Sequence, residues 1–421
     1  MSRSQRPPSP PGSLLSRIWP AGLTRDGRLL FLTQGLRSFA YGFLAVILGP
    51  YLAALGFPSA TIGAVFTASL VGGALSTMAF TAVADRLGRR RVLVVASLLM
   101  AAGGIVFALV RDPLWLMAAS VIGTISPSGK EVGPFLAIEQ AVLAQSVPDA
   151  ERTRAFAAFN VVGTLAGAGG ALFAGLPALR GMPELPGYRA LLVAYAIAAA
   201  LLALAFAALS PQAEAPRAAN VGGTAPLRRS RGIVVRLAAL FALDAFAGGF
   251  VVQGLVAYWL HVRHGLDLAA LAGVFFATNL LAGLSLLAAA PLARRIGLLN
   301  TMVVTHLPSN VFLLLVPLMP TGEGAVAMLL LRFLLSQLDV PTRQSYTMAV
   351  IPPEERSAAA GVTSVARTAG AAAAPVLGGA LLAAPALGLP FIVAGVLKIV
   401  YDVAIFAVFR RVRPPEEAHR A

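Results

Sequence analysis

The sequence contains no cysteine, and lysine accounts for only two of its 33 basic residues, Lys130 and Lys398. The absence of cysteine excludes disulfides, thiolate metal sites and cysteine nucleophiles. Charged residues make up 12% of the chain, whereas about a quarter of the residues of a soluble domain are charged. Hydrophobic residues make up 58%, which is too much apolar surface for an exterior that faces water. We therefore expect the lipid bilayer to be the solvent of this chain.

The sequence also lacks the motifs of common nucleotide-binding and hydrolytic sites. It has no P-loop, no Gly-x-Gly-x-x-Gly fingerprint, no Gly-x-Ser-x-Gly elbow and no His-Glu-x-x-His pair. Three of its four histidines lie in or beside predicted loops, which gives little basis for a metal cluster. We predict that the protein is not an enzyme and uses no cofactor and no metal.

Apolar segments separated by Gly, Pro and charged residues predict twelve membrane-spanning helices. The predicted spans are 29–55, 59–84, 91–110, 113–147, 153–179, 188–210, 233–260, 267–292, 299–320, 324–349, 355–384 and 389–410. Residues 1–28 show no signal-peptide pattern and are predicted to be a disordered cytoplasmic tail. The remaining predicted units are a six-helix bundle at 29–210, a cytoplasmic linker at 211–232, a second six-helix bundle at 233–410 and a cytoplasmic tail at 411–421.

Arginine positions predict the orientation of these spans. With both termini in the cytoplasm, the predicted cytoplasmic segments hold 22 arginines and the outer loops hold four. This bias follows the positive-inside rule, which also explains the net charge of +15 without a nucleic-acid partner. A composition high in Ala and Arg with almost no Lys is typical of a GC-rich bacterial genome. We therefore expect a multi-pass protein of a bacterial inner membrane.

The two halves of the chain repeat the same short basic loop. Asp85-Arg86-Leu87-Gly88-Arg89-Arg90-Arg91 lies between two apolar segments, and Arg294-Arg295-Ile296-Gly297 lies between two later ones, 209 residues further on. The segments that begin at Pro148 and Pro352 are similarly alike, with an offset of 204 residues. Two similar membrane-embedded halves predict a carrier with alternating access.

Over about residues 29–410 the chain resembles transporters of the major facilitator superfamily (MFS). The segment from Asp85 to Arg90 is similar to that family's loop 2–3 signature, although Thr81 stands where Gly is usual. The glycines of span 5 are similar to the antiporter motif of drug-efflux members, with Ala168 in place of Pro. The resemblance implies an all-α membrane protein with twelve transmembrane helices in two pseudo-symmetric six-helix bundles. It also implies a gating loop that latches the cytoplasmic side, formed by Asp85, Arg86, Gly88, Arg89 and Arg90.

Ionisable side chains inside the predicted spans point to the centre of such a carrier. Each costs about 2.5–3.5 kcal/mol on insertion scales, so it usually faces a cavity or a partner. Asp339 and Arg343 are four residues apart, as are Lys398 and Asp402, so each couple is a candidate ion pair. Glu139 is placed nearer the cytoplasmic end of span 4. To the substrate or ion cavity we assign Arg37, Lys130, Glu131, Asp244, Asp339, Arg343, Arg367, Lys398 and Asp402.

Span 4 is not expected to be one smooth helix, because Pro127 and Pro134 flank two glycines and the Lys130-Glu131 couple. Irregular backbone at this depth lines a cavity or is buried in protein, and broken helices beside charge often form transporter binding sites. The alternative is a kink that only packs against another helix. Positions expected to bend or pack closely are Pro127, Gly133, Pro134, Gly167, Pro341 and Pro375.

Arg37 and Asp244 occupy near-equivalent positions in the two halves, 207 residues apart. In the family that the chain resembles, spans 1, 4, 7 and 10 line the central cavity. An ion pair between these two residues would then form a lock that a substrate or a proton opens. We predict that Asp244 or Glu131 carries the proton, because burial and a nearby cation act in opposite directions on a carboxylate.

Three functions are compatible with these features. The first is a secondary transporter for proton-coupled efflux of a small organic molecule, which the partial span 5 motif favours slightly. The second is uptake or facilitated transport of an anionic metabolite, which fits if several cavity cations lack a carboxylate within ion-pair distance. The third is a non-transporting scaffold or receptor, against which the density of interior charge argues. The expected partners are a small-molecule substrate, a proton or other ion gradient and the lipid bilayer, and the expected oligomeric state is a monomer.

Overall fold

The computed structural model describes residues 22–130, 133–148, 151–214, 227, 229–383 and 388–412. Within these ranges the protein consists of α-helices joined by loops and short 3-10 turns, without any strand. This confirms the predicted all-α fold class. The helices are α1 Arg25–Ala54, α2 Ser59–Leu87, α3 Arg89–Leu109, α4 Pro113–Ile122, α5 Phe135–Gln145, α6 Arg152–Phe173, α7 Leu176–Leu179, α8 Glu184–Ala207, α9 Arg231–Gly249, α10 Gln253–His264, α11 Leu268–Ile296, α12 Leu298–Leu315, α13 Gly322–Leu335, α14 Asp339–Ala349, α15 Arg356–Leu382 and α16 Leu389–Phe409.

Eleven helical segments are long and apolar enough to cross a membrane, and the short helices α4 and α5 together supply a further crossing. We number these crossings as spans 1 to 12, in which span 4 is α4 with α5, span 7 is α9 with α10, and span 10 is α13 with α14. Large apolar side chains on the outside, such as Leu109 (74% exposed) and Leu287 (72% exposed), are suited to lipid rather than water. The protein is therefore a multi-pass membrane protein.

Polar side chains cap the first turns of several helices. Thr24 Oγ1 accepts a hydrogen bond from Gly27 N at 3.1 Å, so α1 begins at Arg25 rather than at residue 29 as predicted. Asp112 caps α4 and Asp267 caps α11 in the same way. Most of the predicted tails and of the linker at 211–232 lies outside the described residues, so those assignments stay predictions.

Span 4 is broken in the middle, as predicted. Helix α4 ends at Ile122 and α5 begins at Phe135, and Gly133 between them has a φ of 86°. Pro134 directly precedes α5, where a proline is tolerated because the first turn of a helix leaves its N–H groups without intrahelical partners.

Spans 7 and 10 are also broken. The break in span 10 falls between Leu335 and Asp339, which places Pro341 in the first turn of α14. The break in span 7 falls between Gly249 and Gln253. Span 7 was predicted as one continuous helix, although Gly248, Gly249 and Gly254 flank the intervening Phe-Val-Val segment and are a signal for this break.

The two halves pack against each other toward the face opposite the described chain ends. A Cβ atom added to Gly63, near the start of span 2, would lie 2.9 Å from Gly379 Cα, near the end of span 11. Thr67 Oγ1 accepts a hydrogen bond from Val376 N at 3.0 Å in the same interface. Gly254 N donates to the Pro127 carbonyl oxygen at 2.9 Å, which joins the breaks of spans 7 and 4. These backbone contacts close the molecule on that face.

Candidate functional site

A fully buried ion pair joins spans 1 and 4. The Arg37 guanidinium donates to both carboxylate oxygens of Glu139, at 2.8 and 2.5 Å, and both side chains are 0% exposed. Thr33 Oγ1 donates to Glu139 at 2.7 Å, and Gln34 Oε1 accepts from Arg37 at 2.5 Å. The guanidinium carbon also lies 4.9 Å from the centroid of the Phe135 ring. A bidentate pair with these additional partners is the arrangement that a buried pair of charges requires.

The predicted lock between Arg37 and Asp244 is wrong. Glu139, which was placed nearer the cytoplasmic end of span 4, lies on α5 and turns its carboxylate toward span 1. The break before Phe135 restarts the helix, so the side chains of α5 are not in register with those of α4. Arg37 therefore pairs within its own half, and Asp244 has different partners.

Asp244 on span 7 is the centre of a second buried cluster, in the C-terminal half. Its Oδ1 lies 2.5 Å from Lys398 Nζ on span 12. Its Oδ2 lies 3.1 Å from Arg343 Nη1 on span 10 and 3.5 Å from Arg367 Nη1 on span 11. Four spans therefore meet at one carboxylate that three cations surround.

The two ion pairs predicted within single helices have different outcomes. The pair on span 10 is confirmed, because Arg343 Nη1 lies 3.0 Å from Asp339 Oδ2. The pair on span 12 is wrong, because Lys398 contacts Asp244 while Asp402 contacts residues of span 9. Spacing along a helix was enough to predict the span 10 pair, whereas in span 12 the neighbouring helices supply the partners of both residues.

Asp402 belongs to a polar group buried between spans 9 and 12. Its Oδ1 lies 2.7 Å from His306 Nδ1, and its Oδ2 accepts from Asn310 Nδ2 at 2.9 Å. Asn310 Oδ1 in turn accepts from Arg332 Nη1 at 3.4 Å. His306 Nε2 lies 3.9 Å from Asp244 Oδ1, so this polar group adjoins the cluster around Asp244, which we call the central cluster.

Sequence reasoning missed His306 and Asn310. The available signal was a histidine inside an apolar span with an asparagine four residues later, which places both on one helix face. Among the described residues, no group of three or more His, Asp or Glu side chains is arranged to hold a metal ion.

Lys130 lies in the break of span 4 and faces the C-terminal half. Its side chain is exposed, and it interacts electrostatically with Arg367, Lys398 and Asp339. Within the described part of the chain, its ammonium group forms no hydrogen bond and no ion pair. Glu131 lies outside the described residues, so its place in the cavity and its role as proton carrier stay predictions.

A cavity of about 800 Å³ opens between spans 2, 4 and 11. Its lining is largely apolar and includes Leu70, Ala74, Leu136 and Ala372. Gly133 and Thr368 also line it, and they belong to the break of span 4 and to span 11, the same elements that carry Lys130 and Arg367. The elements around the apolar cavity are therefore also those that supply these two cations.

The predicted gating loop is bound to its own half. Gly88 ends α2 with a φ of 99°, a conformation that favours glycine. The backbone N–H groups of Arg89 and Arg90 donate to the Glu214 carboxylate at 2.5 and 3.3 Å, so an acid caps the start of span 3. Arg86 is exposed in the last turn of α2. Nothing is described for the side chain of Asp85, and the latch stays a prediction.

The C-terminal half has a similar acidic cap. Glu355 accepts from the backbone N–H groups of Arg229 and Ser230, each at 2.9 Å, and from the Ser230 hydroxyl. Span 7 therefore begins at a carboxylate from the segment after span 10, whereas span 3 begins at one from the segment after span 6.

The remaining predicted packing positions lie at contacts between helices. A Cβ atom on Gly42 would lie 2.1 Å from the Gly167 carbonyl oxygen, so spans 1 and 5 touch through their backbones. A Cβ atom on Gly63 would lie 2.3 Å from the carbonyl oxygen of Pro375, which sits inside the continuous helix α15. Bending at these positions stays a prediction.

Comparisons with known proteins agree with this architecture. The family model described as Major Facilitator Superfamily matches residues 30–338. An uncharacterized membrane protein of Saccharomyces cerevisiae is 28% identical over 423 residues, which cover 92% of this chain and 94% of the yeast protein. The crystal structure of the nucleoside transporter NupG is similar with a TM-score of 0.72 and 15% identity, covering 92% of this chain and 100% of that one. An inward-facing, unoccupied bacterial homolog of the human lysosomal transporter Spinster has a TM-score of 0.71 and 14% identity, covering 91% and 96%.

Proposed function

Because this chain belongs to the Major Facilitator Superfamily, we propose that it is a secondary transporter that moves a small organic anion across the membrane by alternating access. The observation that supports an anion is the surplus of cations over carboxylates at the centre of the C-terminal half and the facing break of span 4. The described cations there are Lys130, Arg332, Arg343, Arg367 and Lys398, and the carboxylates are Asp244, Asp339 and Asp402. Counting Glu131 from the sequence still leaves the cations in the majority.

Lys130 and Arg367 are the cations best placed to bind the anion. Lys130 forms no ion pair with a described residue, and it stands on the opposite half from the Asp244 cluster. Arg367 has a side chain that is 36% exposed, and its Nη1 makes no hydrogen bond while it lies 3.5 Å from Asp244. An anionic group between them would contact both halves at once and form charge-assisted hydrogen bonds with each.

The orientation of the protein follows from its arginines. The positive-inside bias places the chain termini in the cytoplasm, so the closed face would be the outer one and the carrier would be open inward. Composition supports a bacterial inner membrane as the location. Since one chain carries both halves and the whole central site, we propose that the monomer is the transporting unit.

Proton-coupled export of a small organic molecule is the second candidate function. The glycine-rich sequence of span 5 favours it, and Asp244 or Glu131 would carry the proton. Asp244 is in contact with three cations, so these contacts would have to rearrange before its carboxylate took up a proton. The same cations disfavour a positively charged cargo, which would meet like charge in the cavity.

Transport into sealed proteoliposomes separates the two candidates. The purified protein is offered labelled gluconate, succinate and citrate as anions, tetraphenylphosphonium as a cation and ribose as a neutral compound. We expect protein-dependent uptake of at least one anion, competed by the same unlabelled anion, and no uptake of the cation above that of protein-free liposomes. Movement of the cation without movement of any anion would reject the anion proposal and support export.

A further inference from the structure

A proton is already bound between His306 and Asp402. The 2.7 Å separation of His306 Nδ1 and Asp402 Oδ1 is a hydrogen bond, and a hydrogen bond requires one proton on one of the two atoms. Asn310 Nδ2 lies 2.9 Å from Asp402 Oδ2 and 3.2 Å from His306 Nδ1, so an amide donor holds the pair in place. The side chains are buried, with His306 5% and Asp402 1% exposed. In the tautomer with the ring proton on Nδ1, the other ring nitrogen, His306 Nε2, can take up a second proton.

Nε2 is directed at the central cluster. It lies 3.9 Å from Asp244 Oδ1, the same oxygen that Lys398 contacts at 2.5 Å. At 3.9 Å the unprotonated nitrogen makes no hydrogen bond with Asp244. A proton on Nε2 would make the ring a cation and a donor toward this oxygen, in competition with Lys398.

The helices packed around His306 bring further charges. Span 10 contributes Arg332, Arg343 and Asp339, and span 11 contributes Arg367. Span 12 contributes Tyr401, whose ring lies 5.9 Å from that of His306, besides Lys398 and Asp402. Span 8 contributes no ionisable side chain before Arg294, at its end. His306 supplies the only imidazole among these groups, and imidazole is the side chain that most often exchanges a proton in proteins.

We propose that His306, held by Asp402 and Asn310, is the site that couples proton binding to anion binding in this transporter. The proposal rests on the proposed function and names a coupling residue other than Asp244 and Glu131. A hydronium ion from the aqueous phase gives its proton to Nε2 and becomes water, so an N–H bond forms, an O–H bond breaks and the cluster gains one positive charge. The protonated ring competes for Asp244 Oδ1 and releases Lys398 toward the cavity.

Proton and anion then bind cooperatively. The added charge on His306 increases the surplus of cations that attracts the anion, and by linkage the bound anion favours the protonated ring. Both ions therefore cross together, and the anion accumulates on the alkaline side of the membrane. One unit of pH difference is worth about 1.4 kcal/mol for each proton, so a singly charged anion moved with one proton would accumulate about tenfold.

The coupling is tested in proteoliposomes with labelled gluconate, succinate and citrate under an imposed pH difference. We expect the wild type to accumulate the transported anion on the alkaline side, and His306→Gln to lose accumulation while it still exchanges labelled for unlabelled anion. His261→Gln is the matched control, because His261 lies at the end of span 7, where its Nδ1 contacts the Leu266 carbonyl oxygen. The proposal would be overturned if the wild type exchanged labelled for unlabelled anion without accumulating it under the pH difference. It would also be overturned if His306→Gln accumulated the anion as fully as the wild type.

Histidine NMR tests the proton site without any substrate. In protein labelled with ¹⁵N-histidine, the His306→Gln variant identifies the signals of His306 among the four histidines. We expect the Nε2 signal to change with pH, and Asp402→Asn to alter that change while Asp267→Asn leaves it as in the wild type. A His306 signal that stays constant over the pH range in which the protein stays folded rejects the coupling site. If no anion is transported but His306 titrates as described, the proposed function fails and the proton site stands.

Discussion

At the scale of single residues, the charged groups inside the membrane have two different roles. Arg37 and Glu139 are fully buried, form a bidentate ion pair and donate further hydrogen bonds to, or accept them from, neighbouring polar side chains. These features are typical of an ion pair that stabilises the fold. Asp244 instead contacts three cations, of which Arg343 also pairs with Asp339 and Arg367 is partly exposed. The first pair holds spans 1 and 4 together, whereas the cluster around Asp244 has alternative partners that the proposed transport cycle would use.

Removal of one member of the buried pair should destabilise the protein. We expect Glu139→Ala to lower the free energy of unfolding by about 3–5 kcal/mol, because the Arg37 charge is left in an apolar site. The double substitution of Arg37→Met with Glu139→Leu should recover most of this loss, since no charge is then stranded. Thermal unfolding of the purified proteins in detergent measures both. If Glu139→Ala were as stable as the wild type, the ion pair between Arg37 and Glu139 would make no contribution to the stability of the protein.

Lys130 should matter for the substrate rather than for the fold. We expect Lys130→Gln to raise the half-saturating anion concentration roughly tenfold to a hundredfold, because a hydrogen bond to a charged group contributes about 1.5–3 kcal/mol. The matched control is Arg236→Gln, which removes a cation from an exposed position on span 7. Initial uptake rates at varied anion concentration give the comparison. If the half-saturating anion concentration were the same for the wild type and Lys130→Gln, Lys130 would not be part of the anion-binding site.

Residue partners were harder to predict than residue importance. The cost of burying charge marked Arg37 and Asp244 as groups that need a partner, but several acids and bases lay within the uncertainty of the predicted spans. Glu139 is 102 residues from Arg37, and its orientation depends on where α5 restarts. His306 has one spacing signal, Asn310 four residues later, but its partner Asp402 is 96 residues away and only the tertiary structure shows that contact.

At the scale of elements, apolar length and local breaks were readable from the sequence. The break of span 4 follows from Pro127, Pro134 and the glycines between them, and such residues interrupt a helix wherever it packs. The break of span 7 contains no proline, but Gly248, Gly249 and Gly254 flank it. It also coincides with the hydrogen bond from Gly254 to the Pro127 carbonyl oxygen, which is a contact between the two halves.

The glycine contact between spans 2 and 11 should control the closed face. We expect Gly63→Leu to open this face, because even a Cβ atom there would lie 2.3 Å from the Pro375 carbonyl oxygen. The readout is labelling of an added Ser59→Cys by a polar maleimide, which the absence of native cysteine makes specific. Gly273→Leu is the control, since a Cβ atom on Gly273 has no neighbour within 4 Å. Equal labelling in both backgrounds would contradict a closure set by this contact.

At the scale of the whole molecule, the two halves are built alike and joined on one face. Each half has one helix start capped by an acid, span 3 by Glu214 and span 7 by Glu355, and broken helices from each half meet at Pro127 and Gly254. The central cations lie next to this junction. A molecule closed on one face with its charges in the middle is one of the two states that an alternating carrier needs, and the other state must separate the contacts made by Gly63 and Thr67.

The exchange between these two states in response to an anion is the central claim, and distances between spin labels test it most directly. One pair, Arg180→Cys with Arg263→Cys, reports on the closed face, and another, Arg152→Cys with Arg295→Cys, reports on the face of the termini. We predict that a transported anion lengthens the first distance and shortens the second in part of the molecules. If that anion crosses the membrane through the protein while neither distance changes, alternating access by these two halves is contradicted.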